Sequence, residues 1–570
     1  MRASGARALG FIALLEPVKT PIELWIPAPS MFTSFTSLLV CAAVLACSVF
    51  FSRFGQREWK LLPGPPTIPF LGNLHILPTD GGEWPLKFME WSRQHGDIMS
   101  IKLVSETMII LSSPTAIKEV VDKHGWATSS RPPHYLAGLA VGGYHLLLAS
   151  DSARLRNIRK TITRFFSPQN SAKRLPVQAA ESTQLLFELM AHPESFSESI
   201  RRYTPSIAMI TVYGHRASAL TSRRFFKMLA QFLHILLPGA YPPIDLLPPL
   251  RYLPERWAPW FAVCRRNKSE MAAFHLEAEK RSVAKIRRSN IAEESESYMK
   301  CIQHMDLSQE EYPAFSLMLH SHTRVDCRHF VYRYTALPIV EASSDTSAAF
   351  LLSLVLILGL YLEYQERARQ EIEFVVGTTR IPELEDFKKM PFLDALIKEV
   401  IRIRPAFPIG IPHRITKEIR YKNYIVPKNA TVILNIYSIF HNPEIFEDPE
   451  DFNPDRFLHS EHGTRPGMDT DFRDNFSFGG GRRICPGQHV ARTTMRLTAM
   501  RLIWAFKFGP PVAAETGLPI TRELDCYAPE FVVMPHPFKC AIQLRGAEHR
   551  DMIIQAFKDV KSLLSRYEYE

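Results

Sequence analysis

The pattern of apolar and polar positions divides the 570-residue chain into a few long helical segments and a smaller number of short alternating ones. From Phe35 to Phe51 the stretch "FTSLLVCAAVLACSVFF" carries no charge over about 17 residues, near the lower limit for a spanning helix. "LLPGPPTIPFLGN" (Leu61–Asn73) follows, with four prolines that fix extended backbone and remove donors, so it reads as a stiff spacer. Residues 84–96 and 115–125 have helical spacing, and "IMSIKL" and "TMIIL" between them alternate like strands. A long helical stretch runs from about 152 to 215, and "LLPGAYPPIDLLPPLRYLP" (Leu236–Pro254) interrupts the pattern before helix resumes over about 255–290.

The second half holds another apolar run, Thr346–Leu362, about as long as the first. "EASSD" sits directly before it, placing Glu341 and Asp345 on the same continuous helix, and "EYQERARQEIEFV" after it is amphipathic. A helix threading a large core, polar at one point along its length, accounts for all three features better than a second membrane span. In this half, strand patterning is a minor part near Tyr424–Tyr437. The expected fold is therefore mainly α with a minor β part.

Composition and charge refine this outline. With 46% hydrophobic and 22% charged residues the chain is globular in character, and no linker divides it after about residue 75. Its net charge of +10 comes from scattered basic residues rather than blocks, which argues against nucleic acid as a partner. None of the eight cysteines forms a CxxC pair, so zinc-site spacing is absent and a reducing compartment is indicated. Arg53, Arg57 and Lys60 directly follow the first apolar run, which orients the rest of the chain to the cytosol behind an uncleaved anchor. The expected organisation is an N-terminal extension (1–34, with Met31 an alternative start), a transmembrane helix (35–52), a basic, proline-rich hinge (53–74), a main domain (75–545) and an extra amphipathic helix (546–570).

"FSFGGGRRICPGQ" (Phe476–Gln488) is the most informative segment. A lone cysteine is usually a small buried hydrophobe, and a glycine cluster is usually a loop. A phosphate cradle would need Lys-Ser/Thr after the glycines, which this segment lacks. Instead Phe478, Gly481, Arg483, Cys485 and Gly487 fall at F-x-x-G-x-R-x-C-x-G, which resembles the haem-binding loop of the cytochrome P-450 family at all five positions. The chemistry suits the pattern. A thiolate ligand donates electron density that favours O–O cleavage, glycines permit a tight turn with N–H groups aimed at sulfur, and a guanidinium matches a carboxylate.

Further motifs follow in the family's order. Glu399-x-x-Arg402 in "KEVIRIRP" and Arg456 in "FNPDRF" resemble its structural triad. "ASSDTS" resembles the oxygen-activation stretch, with Asp345 and Thr346 as the acid–alcohol pair that delivers protons and Ser343 where glycine is usual. In "ARLRNIRK" Leu155 replaces the usual tryptophan while Arg159 keeps the arginine, and Arg414 in "IPHRIT" resembles a second propionate partner.

The resemblance, over roughly residues 60–545, implies a cytochrome P-450 fold and haem b with an axial thiolate from Cys485. It also implies a catalytic domain anchored on the cytosolic face of the endoplasmic reticulum. Activity would be insertion of one oxygen atom from O2 into an apolar small molecule, with fungal secondary metabolites (terpenoids or polyketides) the nearest in style. Electrons would come from NADPH-cytochrome P-450 reductase, with cytochrome b5 an additional candidate donor, docking on a basic face formed by Arg482, Arg492, Arg496 and Arg501. Phe407, Ile409 and Phe531 are expected in the substrate pocket, with the loop Pro133–Tyr144 and the helix face before Asp345. Two other readings are a haem-thiolate enzyme that rearranges or dehydrates without inserting oxygen, and a non-catalytic membrane binding protein. Retention of Asp345 and Thr346 favours the oxygenase.

Overall fold

The computed structural model describes residues 38–45, 62–142, 145–288, 297–303, 327–468, 471–473, 475–521, 527–528 and 530–568. They belong to two units, 1–54 and 55–570. In the first, residues 38–45 are helical with exposed Leu38, Leu39, Val40, Val44 and Leu45. The rest of the expected anchor, the extension before it and most of the hinge lie outside the described residues.

The second unit begins with α1 (Trp84–His95) and the antiparallel pair β1 (Ile98–Leu103) and β2 (Glu106–Leu111). The helix expected over 115–125 is broken. A first turn, Pro114–Ile117, widens into a π-type turn over Lys118–Asp122, and Gly125 opens a separate short helix.

The single stretch expected over 152–215 is likewise divided, into α2 (Ala153–Phe165), α3 (Leu175–Ala191) and α4 (Phe196–Tyr213). Proline sets the divisions. Pro168, Pro176 and Pro193 each occupy an early helical position, where a missing N–H costs nothing, so each starts a new element. α5 (Ala219–Leu236) ends at the proline-rich segment, and α6 (Trp260–Arg288) begins after Pro259 rather than at 255.

That proline-rich segment is laid against the chain just beyond the hinge. A Cβ on Gly81 would come within 2.4 Å of the Pro238 carbonyl, and one on Gly239, at φ +84°, would strike the Thr79 carbonyl, so both positions require glycine. Tyr252 within it and Trp257 just beyond it are exposed.

α7 (Cys327–Leu360) is the long central helix. Its stretch Thr335–Leu360 is apolar and long enough to cross a membrane, yet 78% of the most apolar part is buried within the protein. A helix apolar all round needs such cover, and α7 finds it against α4 and, further along, α10 (Gln488–Ala505). Between them the chain forms α8 (Leu362–Val376) and α9 (Pro391–Ile403).

β3 (His413–Arg414), the hairpin β4 (Ile419–Tyr421) and β5 (Tyr424–Val426), and β6 (Thr431–Leu434) contribute to the minor β part, and short two-stranded pairings between Phe506 and Leu544 add to it. The main sheet runs β1-β2-β6-β3, with β6 parallel to β2 and antiparallel to β3. At the C-terminus α11 (Ala547–Ser565) docks on α3, where Phe557 stacks on Phe187 at 4.2 Å, and the Tyr567 carbonyl accepts from the Arg216 backbone at 2.8 Å.

Candidate active site

The cysteine loop is a pair of single 3-10 turns, Phe476–Phe478 and Gly481–Arg483, joined by glycines. Gly481 sits at φ +56°, and a Cβ there would come within 2.9 Å of the Val121 carbonyl. Its N–H donates to Asp122 Oδ1 at 2.8 Å, and Arg473 pairs with the same carboxylate, so the loop is fastened from below. The Cys485 N–H donates to the Phe478 carbonyl at 2.9 Å, which turns the thiol out of the loop just before α10 starts. Burial pushes the thiol pKa up, while the Gly487 N–H and the Arg159 guanidinium favour the thiolate. Cys485 lines a pocket of about 400 Å³ with Arg159, Arg483, Ser129 and Leu155.

Beside that pocket lies a buried cluster of basic groups. Arg483 donates to the carbonyls of Ser129 (2.7 Å), Leu146 and Ala149. Arg131 donates to Leu147, Ile411 and Pro412, and Arg159 to Ile484 at 2.7 Å. Burial holds Arg131 well below the usual guanidinium range, and the charges of Arg483 and Arg159 push it further down. The same three arginines act with burial on His413, whose Nδ1 faces the Thr128 carbonyl at 2.7 Å. Like charges gathered in low dielectric call for an anion, and the two propionates of a haem beside Cys485 match that demand.

Arg131 and His413 are the residues that sequence reasoning missed. Arg131 stands alone in "SSRPP" and carries no motif. His413 precedes the expected Arg414 by one residue, and neighbours in a strand project to opposite faces. It is the His413 ring that joins the cluster, while Arg414 is not among the charges acting on it. Leu155, in place of the family's tryptophan, is fully buried and offers no donor.

The central helix is continuous through the expected oxygen-activation stretch, where it has one exposed point. Within Thr335–Leu360, Ala342 is the single exposed residue, with Ser343, Thr346 and Ser347 half-buried beside it. The Thr346 hydroxyl donates to the Ala342 carbonyl at 2.8 Å, and the Ser343 hydroxyl to the Ile339 carbonyl at 2.8 Å. Serine in the glycine position therefore keeps the helix bonded through its own side chain.

Asp345 is buried, and its Oδ2 has no partner among the described residues. Burial raises its pKa to about 7, with Arg201 acting downward and Glu530 upward. Its proton is therefore bound more tightly in the folded than in the unfolded chain, and stability falls as pH rises from about 4 to about 7. Asp345→Asn should raise stability at pH 8 by about 2–4 kcal/mol and leave it nearly unchanged at pH 4. Thermal unfolding of both proteins at the two pH values checks this; equal stability at pH 8 would refute it.

Of the expected pocket residues, Phe407 and Phe531 meet edge to face at 5.7 Å, and Val533 N–H to the Ala406 carbonyl (3.0 Å) holds their segments together. Ile409 instead packs on a separate cluster with Phe88 and Trp91 of α1. Tyr144 lies outside the described residues.

Behind the cysteine loop, Arg402 makes a two-pronged pair with Glu399 (2.7 and 2.8 Å), and Arg456 reaches the same carboxylate at 3.2 Å. The remaining guanidinium donors go to backbone carbonyls of Phe440, Glu447, Pro449 and Asp451. Glu399 is 0%, Arg402 1% and Arg456 8% exposed.

The expected basic face needs correction. Arg501 is buried against the carbonyls of Pro382 and Ala179, Arg496 pairs with Asp394 at 3.0 Å, and the Arg492 guanidinium lies over the Phe478 ring. The far half of α10 is embedded in the core, so its arginines turn inward to satisfy neighbouring polar groups. Of the four, only Arg482 is exposed.

The cytochrome P-450 family model matches residues 62–539. The chain belongs to the cytochrome P-450 family. Members of this family bind haem through a cysteine thiolate, act with a redox partner and take small-molecule substrates, and this chain is a cytochrome P-450 monooxygenase. It is 32% identical over 538 residues to a cytochrome P-450 monooxygenase of Armillaria gallica, covering 94% of this chain and 98% of the relative. It is 30% identical to the monooxygenase macC of Penicillium terrestre, covering 92% and 98%, and 30% identical to atE of Aspergillus terreus, covering 96% and 99%.

Proposed function

We propose that this cytochrome P-450 inserts one oxygen atom from O2 into an apolar secondary metabolite, with electrons from an NADPH-dependent reductase. The observation that carries the reading is the window of exposure on the central helix at Ala342–Ser347, where Thr346 is half-buried and Asp345, the residue before it, is buried, so that an acid and an alcohol stand side by side. A rearranging enzyme would have no use for the pair.

In this reading the Cys485 thiolate would hold the haem iron, and Arg131, Arg159, Arg483 and His413 would hold the propionates. With a thiolate ligand, haem supplies the electron-rich centre at which the O–O bond is cleaved. Asp345 keeps its proton up to about pH 7, with the charges of Arg201 and Glu530 acting on it in opposite directions. Thr346 Oγ1, held by its bond to the Ala342 carbonyl, presents that proton at the window. Phe407 and Phe531 form an apolar wall that excludes water and seats the substrate.

The docking surface for the reductase is carried mainly by α2 and the turn after it. Arg482, Lys160, Arg164 and Lys173 are exposed there, and residues 152–174 contain no acidic side chain. An acidic partner is steered to such a surface. Residues 35–52 would anchor the enzyme in the endoplasmic reticulum membrane with the catalytic unit cytosolic, and the proline-rich loop beside residues 79–81 would lie at the bilayer surface.

Reductase-supplied microsomes incubated with a fungal metabolite library under ¹⁸O₂ should give a product carrying one labelled atom. Cys485→Ser should abolish that product together with the thiolate-type absorbance of the reduced carbon monoxide complex. A mutant that keeps the absorbance would overturn the ligand assignment, and an unlabelled product would overturn oxygen insertion.

A further inference from the structure

We propose that Glu341 and His145 form a polar anchor in the substrate pocket that reads a hydroxyl group on an otherwise apolar substrate; this deepens, and rests on, the oxygenase reading above. The two side chains are 196 residues apart in sequence, and each is 5% exposed. The Leu147 N–H donates to His145 Nδ1 at 3.3 Å, which leaves the ring proton on Nε2, and Nε2–H donates to Glu341 Oε2 at 2.9 Å. Phe232 of α5 packs on the ring at 5.2 Å and fixes its plane.

The segment carrying His145 is held from two directions. Its carbonyls at Leu146, Leu147 and Ala149 accept from Arg483 and Arg131, the proposed propionate partners, while His145 grips the central helix. The pair therefore spans the gap between the haem edge and α7.

Glu341 immediately precedes Ala342, the one exposed residue of the stretch, on the same turn of the central helix. Its Oε1 has no partner among the described residues. One helical turn further, Asp345 Oδ2 is in the same state. A buried carboxylate normally takes several hydrogen bonds, and a single neutral imidazole is too little. The imidazole orients Glu341 but leaves one oxygen for a donor that is not part of the protein. A cationic donor would enter beside Arg131, Arg483 and Arg201, whereas a hydroxyl adds no charge. The apolar contacts at Phe407 and Phe531 suit the remainder of such a molecule. Glu341 is thus a specificity-determining residue and His145 the residue that positions it.

The test uses azoles that bind haem iron, read as the spectral shift on titrating full-length, haem-loaded protein in detergent. The probes are 4-phenylimidazole, its three hydroxyphenyl isomers and the matching methoxyphenyl compounds, which have the same oxygen but no donor. At least one hydroxyl isomer should bind the wild type about tenfold more tightly than its methoxy partner, as expected for a hydrogen bond to a charged acceptor. Glu341→Leu should remove that preference while leaving parent 4-phenylimidazole affinity within about twofold. Glu341→Gln, which keeps a carbonyl acceptor and the shape of the site, should retain part of it. His145→Gln should preserve more of the preference than His145→Leu. Absence of preference in the wild type for every isomer, or the same preference in Glu341→Leu, overturns the proposal and leaves the pair a structural contact. Failure of any azole to shift the wild-type spectrum overturns the haem reading itself, and the anchor with it.

Discussion

Thr346→Ala is expected to keep its haem and its substrate affinity while most of the NADPH it consumes is diverted to hydrogen peroxide. The hydroxyl contributes little to the fold: Thr346 is half-buried, and its one hydrogen bond goes to the Ala342 carbonyl a turn earlier on the same helix. That bond does, however, fix the oxygen atom beside the exposed point of the central helix. Removing it leaves the thiolate ligand, the electron supply and the apolar pocket unchanged, and takes away only the positioned proton. Placed general-acid groups are worth about 10²–10⁴-fold, so product formed per NADPH should fall steeply while NADPH consumption continues. Thr346→Ser, which restores a hydroxyl, should recover much of the loss. Product, peroxide and NADPH measured in one reaction settle the matter. An unchanged product-to-NADPH ratio would show that protons arrive by another route and would favour a rearranging enzyme.

Glu399→Ala should yield little haem-loaded protein. Glu399 is the only carboxylate bonded to Arg402 and Arg456 among the described contacts, and all three residues are buried. Its loss leaves two guanidiniums in the interior with carbonyl partners alone, a penalty of about 3–5 kcal/mol. That is comparable to the total stability of many proteins, about 5–15 kcal/mol. Arg402→Ala should also be damaging, because it removes the two-pronged partner of Glu399, leaving Arg456 as its remaining guanidinium, and frees the carbonyls of Phe440 and Pro449. The triad packs behind the cysteine loop through Arg402, Phe446 and Phe478, which line one small interior pocket, so the loss should register in haem content before complete unfolding. Normal haem content and melting temperature in both variants would refute the buried-charge account.

The site was legible wherever the chemistry depends on local spacing. The cysteine loop is one, because a tight turn that aims N–H groups at sulfur needs glycine and cysteine at particular offsets, and Gly481 meets that need with its positive φ and its contact with Val121. Glu399 and Arg402 are another, three residues apart on one helical face. The central helix was readable because an apolar segment with one polar point must be either membrane-spanning or enclosed, and charged residues at that point favour enclosure. Segment boundaries were less legible. A run of helical periodicity over 152–215 does not reveal that Pro168, Pro176 and Pro193 start new helices, since proline is as compatible with a first turn as with a loop.

By itself, then, the sequence determined the family, the thiolate loop and the mainly helical architecture, because each rests on contacts between near neighbours. The tertiary structure decided which charges share a space. His413 joins the buried cluster from a strand whose register no local motif reveals. Arg131 enters it from a segment with no motif, and Arg501 leaves the surface because α10 is sunk in the core. His145 and Glu341 meet only when the segment before α2 is folded against the central helix. Electrostatic partners are set by distance through the protein, and nothing in the linear spacing of residues encodes that distance.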